Sequence, residues 1–372
     1  GGRLTMELVY AGFVVFILAL LALDLGVFHR KVHVVSTREA LTWSAIWISL
    51  GLAFVGFVYL GYEHHWLGMG TTPDAMATPV IAPDGSIIYN DGGSAAIKYL
   101  TGFVVEKSLA VDNIFVIAMI FGFLAVPPIY QHRVLFWGII GALVMRGAMI
   151  AVGAALITRF GWILYVFGGF LIITGVKMLL LREQPVDFER NVFVRLVRRL
   201  IPITQRYHGK RFFVRAGTPA SHAPAVSDGP SEVDRIVDVA RAGALLATPL
   251  FLALLLIEVT DLIFAVDSIP AIFAITTDPF LVFTSNIFAI LGLRSLYFAL
   301  AGMIDTFKYL KVSLSLVLVV IGVKMLTHGW LKAWLGASFN FYVLAVVAGI
   351  IAAGVVASLI ARRRERRPLP IA

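Results

Sequence analysis

Glu106-Lys107-Ser108-Leu109-Ala110-Val111-Asp112-Asn113 and, later in the chain, Asp261-Leu262-Ile263-Phe264-Ala265-Val266-Asp267-Ser268 are the stretches whose reading decides the fold. Each places an acid six residues ahead of the aspartate of an Ala-Val-Asp triplet and closes on a small polar residue. Each lies inside a long apolar run. A carboxylate in hydrocarbon is costly, so an acid kept there points to function. Two copies at one spacing make chance a poor account.

The surrounding composition agrees. The chain has 372 residues, is 59% hydrophobic and only 14% charged, and its mean hydropathy is +0.90. Soluble domains are about 45–50% apolar and ~25% charged. The chain reads as an all-α polytopic membrane protein, long enough for about nine transmembrane helices of roughly 20 residues. It contains no cysteine, which removes thiolate metal sites, disulfides and thiol relays. The net charge of +9 does not point to nucleic acid, because the basic residues cluster in loops between apolar runs.

The expected spans are 8–27, 41–62, 94–126, 134–157, 162–181, 244–275, 280–302, 312–327 and 339–360. The first lacks an Ala-x-Ala cleavage site, and its basic flank follows it, as in a retained anchor. The loop 63–93 is rich in Pro, Gly and Asp. The segment 182–241 is polar, with a basic part at 190–215 and a linker of small residues and prolines at 217–230. Arg30/Lys31/Arg38, His132/Arg133, 190–215, Lys308/Lys311 and the arginine-rich tail all fall on one side if the N-terminus is outside and the C-terminus cytoplasmic. Arg159 and Lys332 are mild exceptions.

A second match lies downstream of the acids. Gly175-Val176-Lys177-Met178-Leu179 recurs as Gly322-Val323-Lys324-Met325-Leu326, and Arg146 has a counterpart in Arg294. Spans three to five therefore repeat as six to eight. An odd number of spans per copy turns the copies over, giving two inverted three-helix repeats, a common transporter plan. The expected divisions are 1–93 (two helices and a loop), 94–181 (first repeat), 182–241 (basic loop), 242–327 (second repeat) and 328–372 (last helix and tail).

The mid-span acids are Asp24, Glu106, Asp112, Glu258, Asp261 and Asp267; the mid-span bases are Lys107, Arg146 and Arg294. Acids outnumber bases, so cations or protons must balance them. Glu106 and Asp112 are about 9 Å apart along an intact helix and ~120° around it, as are Asp261 and Asp267. One ion cannot bridge either pair unless the helix unwinds, or unless each repeat gives one acid to a shared site. Pro270 would free a carbonyl in the sixth span. Glu258 and Asp261 share a face. Carboxylates, Asn113, Ser268 and carbonyls make an oxygen set suited to Mg, Ca or Mn rather than Zn or Cu. Glu63-His64-His65 reads as a solvated loop cluster. Arg146 and Arg294 each read as neutralising an acid. Lys177 and Lys324 read as snorkelling. Thr284, Ser285 and Asn286 either line a cavity or bond a neighbouring helix.

Glu106–Phe115, Gln131–Leu135, Tyr165–Leu179, Asp261–Phe273 and Thr284–Arg294 resemble the TerC family of integral membrane proteins, most closely its Alx branch. The resemblance implies manganese export, metal supply to secreted enzymes and an indirect link to tellurite resistance. It implies Glu106, Asp112, Asp261 and Asp267 as ion ligands, with Glu258 adjacent. The expected function is therefore an inner-membrane divalent cation transporter, exporting Mn²⁺ as substrate, with proton coupling and without a prosthetic group or enzymatic activity. Asp24, Asn113, Ser268, Arg146, Arg294, Lys107 and Asn286 support the site. The alternative is a membrane scaffold that supplies metal to partner proteins through 190–215. An intramembrane enzyme is disfavoured, since no histidine is placed to serve a nucleophile.

Overall fold

A computed structural model of the chain describes residues 2–23, 36–83, 85–180, 195, 199, 202–204, 207–216, 244–300, 309–335 and 339–365. Its helices are α1 (Gly2–Leu23), α2 (Thr37–Glu63), α3 (Gly92–Phe123), α4 (Pro128–Arg159), α5 (Ile163–Leu180), α6 (Pro249–Phe273), α7 (Pro279–Ile290), α8 (Leu293–Leu300), α9 (Leu310–Leu326), α10 (His328–Leu335) and α11 (Phe339–Glu365). Two small antiparallel pairs of strands accompany them, β1 (Val80–Ile81) with β2 (Ile87–Ile88) and β3 (Phe213–Arg215) with β4 (Leu245–Ala247).

A helix occupies each stretch expected to span. By length and composition, six of these segments can cross a membrane: α2, α4, α5, α6, α7 with α8, and α11. A seventh arises if α9 and α10, bent by 82°, count as one. The expected nine exceed this for definite reasons. The apolar part of α1 is short, Glu7–Leu23. Helix α3 carries Lys98, Glu106, Lys107 and Asp112, the charges that make it interesting. The chain is an all-α multi-pass membrane protein.

The fold divides into two compact units, 1–112 with 145–182 and 265–372, and 113–144 with 183–264. In the first, a core of Ile150, Leu171, Ala265, Ile269, Phe273, Val317 and Ile321 joins α4, α5, α6 and α9. Helices α5 and α9 meet through glycine. A Cβ on Gly175 would lie 2.8 Å from the Ser315 carbonyl and 2.7 Å from Val319; one on Gly322 would lie 2.8 Å from both the Gly168 carbonyl and Ile172. The helices therefore run antiparallel, with small residues letting the backbones touch. Gly168, Ile172 and Gly175 hold the positions in their helix that Ser315, Val319 and Gly322 hold in theirs, so the seam is self-complementary.

Helix α3 starts at Asp91, whose carboxylate accepts from Ser94 N at 2.6 Å, while Glu63 accepts from Gly92 N at 3.1 Å. Both are acids at a helix N-terminus. This gives Glu63 a capping role; neighbouring His65 sits 3.1 Å from the Met69 carbonyl. The 64–91 loop is fixed by Asp74. Its carboxylate accepts from Lys98 Nζ at 2.8 Å, Asn90 Nδ2 at 3.1 Å, Thr276 Oγ1 at 2.6 Å, Thr277 N at 2.9 Å, Thr277 Oγ1 at 3.1 Å and Met76 N at 2.9 Å. Asp278 caps α7 through Phe280 N at 3.0 Å and accepts from Tyr62 Oη at 2.9 Å.

In the second unit, β3 and β4 pair antiparallel around buried Val214 and Leu246. Arg133 stacks over Phe212 at 5.1 Å, and Tyr207 donates to the Leu124 carbonyl at 2.5 Å. Of the basic segment 190–215, only 195, 199, 202–204 and 207–215 are described. Asp24, Arg30, Lys31, Lys308, the 217–230 linker and tail residues 366–372 lie outside the described residues.

Two predictions follow from this packing. Ala at Gly175 or Gly322 should each cost about 1–3 kcal/mol through overpacking. Ala at Gly169, whose Cβ would meet nothing within 4 Å, should be neutral or stabilising. Thermal unfolding in detergent separates the two groups. The second concerns pH. Burial, then the neighbouring Asp74 carboxylate, pushes Asp278 up to about 6. The folded state holds that proton longer than the unfolded chain, so stability falls as pH rises from about 4 to about 6 and then levels, by on the order of 3 kcal/mol. For Asp74, burial acts upward, but the Lys98 ammonium and hydrogen bonds from Lys98, Thr276 and Thr277 outweigh it and hold the carboxyl well below its usual range. Its contribution is thus constant across that window. Asp278→Asn should flatten the melting temperature between pH 4.5 and 7.

Candidate functional site

The first acidic stretch lies on an unbroken α3, and the second on an α6 that continues through Pro270. Unwinding at the acids is thereby ruled out. On intact helices, Glu106 and Asp112 are too far apart to share one ion, and so are Asp261 and Asp267.

In the first unit, Arg146 is the junction. It is buried, with 1% of its surface exposed. Its Nη1 forms an ion pair with Glu106 Oε1 and lies 3.1 Å from Asn286 Oδ1 and 3.5 Å from Ser268 Oγ. One guanidinium thus ties α4 to α3, α6 and α7. Glu106 Oε2 is buried without a hydrogen-bond partner among the described residues. Arg146 has the neutralising role its sequence suggested. Arg294 is buried at the start of α8. Asp267 is half-buried, hydrogen-bonded to Thr174 and within electrostatic reach of Lys177. Asp112 is half-buried on α3.

The seventh span, expected as one run over 280–302, is broken. Helix α7 ends at Ile290, Gly292 has φ +77°, and α8 begins at Leu293. A Cβ at Gly292 would lie 2.6 Å from Trp47 Cβ, so φ and space both require glycine. Lys107 Nζ donates to the carbonyls of Ala289 at 3.0 Å and Leu291 at 3.1 Å. A cation at a helix C-terminus satisfies carbonyls that the break exposes. Gly292 inside an apolar helical pattern was the available signal. Thr284 and Ser285 bond back to Phe280 and Leu281 of their own helix, each at 2.7 Å, and not to a neighbour. Lys324 does not snorkel. It is buried, donates to the Ala274 carbonyl and lies 5.4 Å from the Phe339 ring centre.

In the second unit, Asn113 Nδ2 donates to Asp261 Oδ1 at 3.3 Å. Glu258, one turn earlier on α6, lies within electrostatic reach of Asp261. Its carboxylate fills a notch in α4 made by Gly141, where a Cβ would stand 1.9 Å from Glu258 Oε1. Glu258 Oε2 and Asn113 Oδ1 are buried acceptors without a hydrogen-bond partner among the described residues. Asp261 is their common neighbour. Among the described residues, no three His, Asp or Glu side chains form a ready metal-ligand group. Within the second unit Glu258 and Asp261 are neighbours, and within the first Glu106 pairs with Arg146.

These features find relatives. Residues 91–366 match the family described as "Integral membrane protein TerC family". An uncharacterized membrane protein of Myxococcus xanthus is 47% identical over 95% of this chain and 92% of its own length. Proteins named "Putative membrane-bound redox modulator Alx" are 42% identical in Photorhabdus laumondii (93% of this chain, 92% of the relative) and 40% identical in Escherichia coli K12 (91% and 93%). No solved structure matches. With the match running from the capped start of α3 to the end of α11, the chain belongs to the TerC family of integral membrane proteins.

Proposed function

We propose that this chain carries a divalent cation across the membrane, with Mn²⁺ as the substrate and export as the direction. The observation that carries the reading is the oxygen set around Asp261. Glu258, Asp261 and Asn113 bring acceptor oxygens together within helices of a membrane protein, and two of those oxygens have no donor among the described residues. Buried acceptors without donors require a proton or a cation. All-oxygen sets suit hard or borderline divalent ions such as Mn²⁺; the choice of Mn²⁺ comes from the family resemblance. A carboxylate that gives up its ion in a low-dielectric setting takes a proton in its place, so the exchange partner is H⁺.

Two further features support a transporter with nine spans and inverted repeats, N-terminus outside and C-terminus inside. The α5–α9 seam joins matching residues antiparallel, as two copies of one inverted unit would. The α7–α8 break, buried and capped, is a discontinuous span of the kind transporters use. The redox-modulator name borne by relatives fits this plan through metal supply, since a chain without cysteine has no thiol of its own to exchange.

Mn²⁺ flux into or out of proteoliposomes tests the proposal. Wild type should move Mn²⁺ with a rate set by the pH gradient. Asp112→Asn, Asp267→Asn, Glu258→Gln and Asp261→Asn should each lower the rate at least about tenfold, the scale of losing about 1.4 kcal/mol. Gly141→Leu should do the same by evicting the Glu258 carboxylate. If wild type moves no Mn²⁺, or these variants match it, the transport reading is overturned. Metal delivery through 190–215 then becomes the better account, and deleting that segment would abolish function.

A further inference from the structure

We propose that α10 lies flat in the membrane–water interface, with Trp330 and Trp334 as its lipid anchor, and does not extend the span that precedes it. Helix α9 has 17 residues, about 25 Å at 1.5 Å per residue. That is close to the roughly 30 Å thickness of a hydrocarbon core. It runs along α5, which is long and apolar enough to cross by itself. The end of α9 therefore reaches the edge of the core, and there the chain turns by 82° into α10. A helix at nearly a right angle to a span runs along the bilayer surface. The eight residues of α10 also cover only about 12 Å, too little to cross.

Contacts on either side of α10 show that the chain gains no depth across it. Phe339, the first residue of α11, has its ring centre 5.6 Å from that of His328, the first residue of α10, and 5.4 Å from Lys324 Nζ. Residues 328 and 339 are thus at one level. The start of α5 is there too. A Cβ on Gly168 would lie 2.9 Å from the Leu326 side chain, and α5 continues from Gly168 back to Ile163 in the direction in which α9 ends.

Burial splits α10 into two faces. His328, Leu331 and Leu335, spaced three and four apart, are partly covered by protein. Gly329, Trp330, Ala333 and Trp334 are exposed; Trp330 is 71% and Trp334 77% exposed. The two indoles lie parallel, with centres 6.4 Å apart and planes within 6°. None of these four residues has a charged side chain. A helix face turned to water carries polar side chains. A face turned to the interface carries tryptophan, whose ring is apolar while its N–H needs a partner. The neighbours repeat the signal. Trp162 just before α5, Tyr165 in its first turn and Tyr342 in the first turn of α11 are all exposed. One level of the unit thus bears outward-facing Trp and Tyr from three segments, as at the edge of a bilayer. Such anchors fix the tilt and rotation of the spans that they flank; here those spans are α5, α9 and α11.

Depth in the bilayer is the direct readout and does not depend on transport. The chain lacks cysteine, so a nitroxide can be attached at a single introduced one. The full chain is placed in phosphatidylcholine–phosphatidylglycerol vesicles. Ala333→Cys carries the label on the exposed face and keeps both tryptophans. Pro83→Cys, exposed in the turn between β1 and β2, gives the water reference, and Ile173→Cys, exposed in the middle of α5, the hydrocarbon reference. Each label's collision rate with oxygen, which concentrates in hydrocarbon, is divided by its rate with a water-soluble nickel chelate. The ratio for Ala333→Cys should fall between the two references. A ratio equal to that of Pro83→Cys puts α10 in water, and one equal to that of Ile173→Cys puts it inside the core; either overturns the proposal. Slow collision with both reagents means that protein, such as a second copy of the chain, covers the face, and overturns it too. The anchor is tested by adding Trp330→Ser and Trp334→Ser to Ala333→Cys. The ratio should shift toward the water reference, and an unchanged ratio overturns the anchoring role. The same pair of changes should leave the Ile173→Cys ratio as it was. If that ratio moves, Trp334→Ser alone replaces the pair and decides on the same criterion.

Discussion

A guanidinium cannot be left bare in a membrane protein's interior, and the first unit is arranged around that constraint. Arg146 is out of contact with water, so α3, α6 and α7 must each bring oxygen to it: Glu106, Ser268 and Asn286. Removing one partner would leave an uncompensated buried charge, which is far costlier than the net worth of the pair. This fixes which helices surround α4 and at what height. The first acidic stretch follows from the same requirement, because its Glu106 is the counter-ion of the arginine.

The second unit solves a different problem. Around Asp261 the oxygens of Glu258 and Asn113 gather, and two of them lack a donor among the described residues. The glycine at 141 makes the room, since any side chain there would occupy the volume of the Glu258 carboxylate. Where the first unit answers a fixed cation with fixed acceptors, the second leaves acceptors without a donor among the described residues, which is the feature the proposed transport uses.

Much of this was legible in the sequence. Apolar runs located the helices, and acids inside them located the polar centres, because hydrocarbon tolerates a charge only with a reason. Arg146 as a neutralising partner was also readable from the excess of acids. The break in the seventh span was missed, since Pro270 offered a more obvious disruption, and α6 absorbs it. Gly292 and Lys107 are 185 residues apart, and nothing local says that one caps the end the other creates. Asp74 was hidden for the same reason. A loop aspartate looks solvated until Lys98, Thr276 and Thr277 converge on it from distant parts of the chain.

The Lys107 contact has a mechanical consequence. Glycine against backbone, as between α5 and α9, leaves no slack, and close-packed interiors transmit strain instead of absorbing it. A lysine reaches its partners through a flexible four-carbon stem. The joint at Ala289 and Leu291 is therefore a compliant tether: it can follow a shift of the half-helices by changing rotamer while its ammonium stays bonded. Stiffness in this unit is unevenly distributed, with close backbone contact along the glycine seam and a flexible side-chain tether at the broken span.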